Sequence, residues 1–145
     1  MTAAAFTGGC LCGQVRYAIA GPPRLISHCH CSLCRRSTGA PFVTWLTVRN
    51  EAFTLEKGEL RTFRSSDHGW RASCATCGTP LTSGSSHYAK YVEVTAGSLD
   101  DPSSAAPERH VYWPDRLPWV KAEDGLPRHV EGANSALVPQ AEEER

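Results

Sequence analysis

His28-Cys29-His30-Cys31-Ser32-Leu33-Cys34 gathers three of the chain's seven cysteines and two of its six histidines into seven residues. Packing gives no reason for such a density of soft ligands, since isolated core cysteines have no cause to cluster at x and x-x spacings. Two cysteine pairs flank the stretch, Cys10-x-Cys12 before it and Cys74-x-x-Cys77 after it. Seven thiols leave one over in any disulfide scheme, and a close pair such as Cys10/Cys12 suits chelation better than bridging. Zinc binding is the reading that uses all of them.

Strand periodicity divides the cluster. A strand from about Arg24 to Cys31 would point Cys29 and Cys31 to one face and His28 and His30 to the other. A short helical piece, Ser32-Leu33-Cys34-Arg35-Arg36, could then swing Cys34 back as a third ligand. Distortion of the strand would leave His28 or His30 free to complete a closed second site. A single cluster holding several metals on all seven thiolates is a further arrangement, for which a strand-rich chain has little need.

Outward from there, strand signals recur at short spacing and 3.6-residue periodicity is scarce. Val15, Tyr17 and Ile19 alternate on one face of Gln14–Ile19. Pro41–Val48 is rich in β-branched and aromatic residues. Ala52–Glu56 and Leu60–Phe63 read as a hairpin around Lys57-Gly58-Glu59. Trp70–Ser73 leads into a Cys74-Ala75-Thr76-Cys77-Gly78 knuckle in which Gly78 can take a positive φ. Tyr88–Thr95 and Arg109–Trp113 are further strands. The chain reads as mainly β with short helical turns, one domain over residues 1–130, and a polar tail over 131–145 that ends in Glu142-Glu143-Glu144-Arg145.

Four thiolates make the usual closed structural zinc site, and Cys10, Cys12, Cys74 and Cys77 would staple the N-terminal corner to the knuckle. Such a cross-link closes a long loop, where loop entropy rewards it most. Cys29, Cys31 and Cys34 remain, three thiolates with an open fourth position, the mark of a catalytic rather than a structural site. Three thiolates leave the dication a weak Lewis acid. The centre is then better suited to holding an incoming thiol as thiolate, which lowers that thiol's pKa. Addition of a thiol to a carbonyl, or the reverse, is the implied chemistry. Arg35 and Arg36 could fork onto a substrate carboxylate or be solvated surface arginines. His68, His87, His110 and His129 read as surface or internally satisfied residues. The four tryptophans read as core or pocket wall.

Fifteen basic and fifteen acidic residues in 145 give no net charge, so no global field draws nucleic acid or anionic membrane. A nucleic-acid zinc finger also lacks a histidine pair after Cys74-x-x-Cys77. No apolar run approaches the roughly 20 residues of a membrane span. The first residues lack the basic start of a secretory signal. A cytoplasmic location is the simplest expectation.

Gly8-Gly9-Cys10-x-Cys12-Gly13, His28-Cys29-His30-Cys31-x-x-Cys34-Arg35 and Cys74-x-x-Cys77-Gly78-Thr79, with Pro107-x-x-His110-Val111 and Trp119, resemble the glutathione-dependent formaldehyde-activating enzyme family. Centromere protein V shares this domain. The likeness covers roughly Thr7 to Trp119. It implies a β-tent fold, a structural zinc on the four paired cysteines, and a catalytic, less tightly held zinc on Cys29, Cys31 and Cys34. It also implies a carbon–sulfur lyase that joins formaldehyde to glutathione, giving S-(hydroxymethyl)glutathione. Ser73 stands where an aromatic often precedes the knuckle and Arg116 where a lysine is usual; neither is a ligand. The competing reading is a non-catalytic zinc-binding module whose three-cysteine site stores metal or senses redox state. Which thiol and which aldehyde, and the oligomeric state, are left open.

Overall fold

The computed structural model describes residues 4–139, and the chain is mainly β. It divides into two compact units interleaved in sequence, one of Met1–Leu25 with Trp45–Ala106, the other of Ile26–Thr44 with Pro107–Arg145.

In the first unit, β1 (Ala4–Gly9), β2 (Arg16–Ala20) and β5 (Phe53–Lys57) form an antiparallel sheet in the order β1-β2-β5. The alternation read around β2 holds, with Val15, Tyr17 and Ile19 all buried. A second antiparallel array runs β4 (Val43–Arg49), β9 (Tyr91–Thr95), β8 (Pro80–Ser85), β7 (Gly69–Cys74) and β6 (Leu60–Arg64). Trp45, Leu46, Val48, Leu81 and Val94 are buried on it.

The expected hairpin is not formed. The segments at 53–57 and 60–64 are both strands, but β5 pairs with β2 and β6 pairs with β7. At the turn between them Gly58 has φ +89°, and a Cβ there would lie 2.3 Å from the carbonyl oxygen of Gln14. The turn is pressed against the backbone entering β2, so β5 continues along that strand's edge. The Phe53 ring stacks on Tyr17 at 5.4 Å, a contact that a β5–β6 hairpin would not require.

In the second unit, β3 (Leu25–Cys29) pairs in parallel with β10 (Arg109–Val111), placing His110 opposite His28 and Val111 opposite Cys29. The strand ends two residues earlier than expected. Helix α1 (Ser32–Thr38) follows with Cys31 as its N-cap, the Cys31 sulfur accepting the N–H of Cys34 at 3.3 Å. A capping thiol in place of Ser or Asp turns the chain here and starts the helix in one move.

The described part of the expected tail, residues 131–139, is held rather than loose. Val138 is buried and its N–H donates to Arg128 O, while the Ser135 carbonyl accepts from His129 Nδ1 at 2.9 Å. Residues 140–145 lie outside the described residues. No helix among the described residues is long and apolar enough to cross a membrane.

Candidate metal centres

The sulfurs of Cys10, Cys12, Cys74 and Cys77 all lie within 4.8 Å of one another. Cys10 and Cys12 are 3.5 Å apart, and Cys12 and Cys74 are 3.9 Å apart. A tetrahedral ion with metal–sulfur bonds of about 2.3 Å separates its ligands by about 3.8 Å, so the four thiols stand near the spacing such an ion requires. Backbone donors already point at them. Val15 N–H reaches Cys10 Sγ at 3.2 Å, and Thr76 and Cys77 N–H reach Cys74 Sγ at 3.3 and 3.4 Å. Such donors stabilise thiolate over thiol. Gly78 takes the expected positive φ, +80°, and its N–H closes the knuckle onto Cys74 O at 2.9 Å. The thiol of Cys77 is held down to about 5, chiefly by the Thr79 hydroxyl and then the Thr79 N–H. The group sits at the surface, with Cys12 and Cys77 exposed and Leu11 between the first pair 92 % exposed.

Cys29, Cys31 and Cys34 form the second group, again with their sulfurs within 4.8 Å of one another. Strand β3 delivers Cys29, the N-cap delivers Cys31, and the first turn of α1 delivers Cys34. Cys29 and Cys34 are buried and Cys31 is partly exposed. Hydrogen bonding to Cys31 and Cys34, then burial, and last the repulsion between neighbouring thiolates push the Cys29 thiol well above its ordinary value. A bound cation reverses that balance. The three sulfurs therefore suit a dication, with the fourth position left to another ligand.

The histidines of the opening motif are not part of either group. His28 Nδ1 lies 2.8 Å from Thr44 Oγ1, and His30 Nε2 lies 2.9 Å from His110 Nδ1. Both rings pack on His110 at about 5 Å, with Phe42 against both and Trp113 against His30. Burial, then the neighbouring His110 ring, lowers His30 to about 3, so it is neutral at physiological pH. His110, which the sequence offers only as a signature residue and a surface or internally satisfied histidine, is buried here, and Asp124 is not singled out from the sequence at all. His110 Nε2 is 2.7 Å from Asp124 Oδ2, a pairing across 14 residues that no motif spacing announces.

Arg35 and Arg36 divide. Arg35 donates through Nη1 to the carbonyls of His30 at 2.7 Å and Asp115 at 2.8 Å, which gives it a structural use. Arg36 is exposed. Trp45 and Trp113 are buried as expected, and Trp113 carries Arg116 and Arg128 over its ring at 4.4 and 4.2 Å. Trp119 departs from the expectation, being 65 % exposed. His68 and His87 lie at the surface, their rings 4.1 Å apart, and His129 is internally satisfied.

The profile of one protein family, the glutathione-dependent formaldehyde-activating enzymes, matches residues 5–115. The chain belongs to this family. A Halomonas elongata protein described as a "putative glutathione-dependent formaldehyde-activating enzyme" is 25 % identical over 125 residues, which are 80 % of each chain. A crystal structure of a Rhodobacter sphaeroides protein superimposes with a TM-score of 0.54 at 23 % identity, over 68 % of this chain and 93 % of that one. That likeness concerns the fold. Family membership points to a formaldehyde-activating function and a catalytic role at the level of the family. It also makes zinc the consistent ion for the two cysteine groups.

Proposed function

We propose that the protein is a zinc-dependent carbon–sulfur lyase that adds a small thiol, glutathione or a relative of it, to formaldehyde or another small aldehyde. The observation that carries this reading is the second cysteine group. Three thiols converge from a strand end, a helix cap and a helix turn, one ligand short of a closed tetrahedron, in a chain of this family. A zinc ion bound there would supply a site that holds an incoming sulfur as thiolate near neutral pH.

Cys29, Cys31 and Cys34 would hold the ion that serves the reaction, while Cys10, Cys12, Cys74 and Cys77 would hold a second, structural zinc. The reaction forms a C–S bond as the carbonyl π bond opens, and the proton that left the thiol ends on the former aldehyde oxygen. The reverse breaks the same bond and returns aldehyde and thiol. Uncatalysed addition already proceeds, so supplying thiolate and proximity is enough. A reducing, cytoplasmic setting would keep all seven cysteines available for metal.

One observation favours a second reading, a metal-holding module without turnover. Only Cys31 of the three is partly exposed, which narrows the approach of a substrate. Metal content before and after mild chelation, measured beside thiol–formaldehyde turnover, separates the two. The lyase reading expects two zincs, with activity following the one on Cys29, Cys31 and Cys34. Turnover no faster than the uncatalysed background with both sites loaded leaves the module.

A further inference from the structure

His30 lies between two of the three thiols of the second group, and it is tied at three points. Its N–H donates to Val111 O at 3.1 Å, its carbonyl accepts from Arg35, and its ring meets His110. Side chains alternate along extended backbone, so Cys29 and Cys31 project away from the side that His30 occupies. A shift of the backbone at residue 30 therefore changes the position of the two flanking sulfurs relative to each other.

The direction of the hydrogen-bond chain follows from its outer end. Asp124 accepts Leu126 N–H on Oδ1 at 3.1 Å and meets His110 Nε2 with Oδ2. An ionised carboxylate has no proton to give, so His110 carries its proton on Nε2 and accepts on Nδ1. His30 must then donate from Nε2, which leaves its Nδ1 bare. That atom is buried and has no hydrogen-bond partner among the described residues, as expected for the inner end of a one-way chain. Phe42 and Trp113 wall in the His30 ring. Asp124 also lies beyond the residues that match the family, 5–115, so the carboxylate comes from a part of the chain the family pattern does not cover.

We propose that Asp124, acting through His110 and His30, is a positioning residue for the three-cysteine group. It fixes the tautomer and ring orientation of both histidines, and thereby the spacing at which Cys29 and Cys31 present their sulfurs to a metal. The proposal rests on reading Cys29, Cys31 and Cys34 as a metal site, and it does not depend on which reaction occurs there. Partners that orient metal ligands directly are worth about 10–100-fold in metal affinity, and Asp124 acts one step further out, through two histidines that are not ligands.

The test uses the full chain loaded with Co²⁺, whose absorption bands report thiolate ligation, together with ¹⁵N spectra of the histidine rings. Wild type is expected to show His110 protonated on Nε2 and His30 bare on Nδ1. Asp124→Ala should weaken cobalt binding at the three-cysteine group about 10-fold, leave the four-cysteine group unchanged, and release the His110 tautomer. Asp124→Asn, whose amide oxygen can still accept from His110, should restore most of the affinity. A His110 proton on Nδ1 in wild type overturns the proposal without recourse to any variant. So does unchanged cobalt affinity in Asp124→Ala, or an equal loss at both groups. Absence of thiol–aldehyde turnover in the loaded wild type rejects the proposed reaction instead, and leaves these ring signals and affinities as the measure of Asp124.

Discussion

The Thr79 hydroxyl stands 3.1 Å from the sulfur of Cys77 and accepts the N–H of Leu11 at 3.1 Å, so one side chain links the two halves of the four-cysteine group. Leu11 lies between Cys10 and Cys12, and Thr79 follows the knuckle that carries Cys74 and Cys77. With its lone pair engaged by Leu11, the hydroxyl is free to direct its proton at Cys77. The pairing thus favours thiolate at Cys77 and fixes the first cysteine pair relative to the second.

Thr79→Val keeps the shape and removes both hydrogen bonds. Metal affinity at the four-cysteine group is expected to fall about tenfold, the lower end for a lost outer-shell partner. Competition with a chelator measures it. Thr79→Ser should recover wild-type affinity, and a Ser variant as weak as Val would show that the methyl group, not the hydroxyl, matters.

The two cysteine groups should respond differently to the loss of one ligand. Cys74 is buried and its sulfur accepts two backbone N–H groups, so Cys74→Ser is expected to cost metal binding at the four-cysteine group and lower Tm sharply. Cys31→Ser preserves a helix cap, because serine is a preferred N-cap residue. It should lose the metal of the three-cysteine group and keep the other, with near-native circular dichroism. Elemental analysis of both variants is the measurement, and global unfolding of Cys31→Ser would contradict the division of roles.

Asp100 accepts from Thr7 at 2.7 Å and forms an ion pair with Arg16, which closes the end of the β1–β2 pairing. The Arg16 and Thr7 bonds hold its carboxyl down to about 2, from an ordinary 3.8. A depressed folded-state pKa means that the contribution to stability is present above about pH 4 and is lost as pH falls through about 2. The Tm gap between wild type and Asp100→Asn should therefore be constant near neutrality and close over that acid window. The pair is solvent-exposed, so added salt should narrow the gap as well. A gap that persists at pH 2 contradicts this account.

Gly58→Ala tests the unexpected strand pairing. The residue has φ +89°, and its new Cβ would meet Gln14 O at 2.3 Å. The left-handed backbone alone costs an L-residue about 1–2 kcal/mol, and the close approach adds to it. The expected result is a loss of unfolding free energy of at least that size, read from the denaturant midpoint and slope. Gly97→Ala serves as the control, since a Cβ at Gly97 has nothing within 4 Å.

Much of the site was legible because ligand spacing is local. Cys10-x-Cys12 and Cys74-x-x-Cys77 each lie within one turn of chain, and Gly78 is the residue that lets the knuckle close. Cys29, Cys31 and Cys34 span a strand end and one helical turn, and alternation alone separated them from His28 and His30. The buried face of β2 was readable for the same reason, since period two survives wherever one face meets a core.

What the sequence could not decide depends on groups brought together from far along the chain. The segments at 53–57 and 60–64 carry good strand residues and a glycine turn, which is all a local reading of a hairpin can use. Their partners were chosen by the stack of Phe53 on Tyr17 and by the approach of Gly58 to Gln14. The His30–His110–Asp124 chain is of the same kind, joining positions 80 and then 14 residues apart. The sequence by itself determined which atoms can ligate and how they fall into four and three. Only the tertiary structure decided which strand covers which edge and which carboxylate stands behind the histidines, because pairing and burial are settled by competition among distant segments for one core.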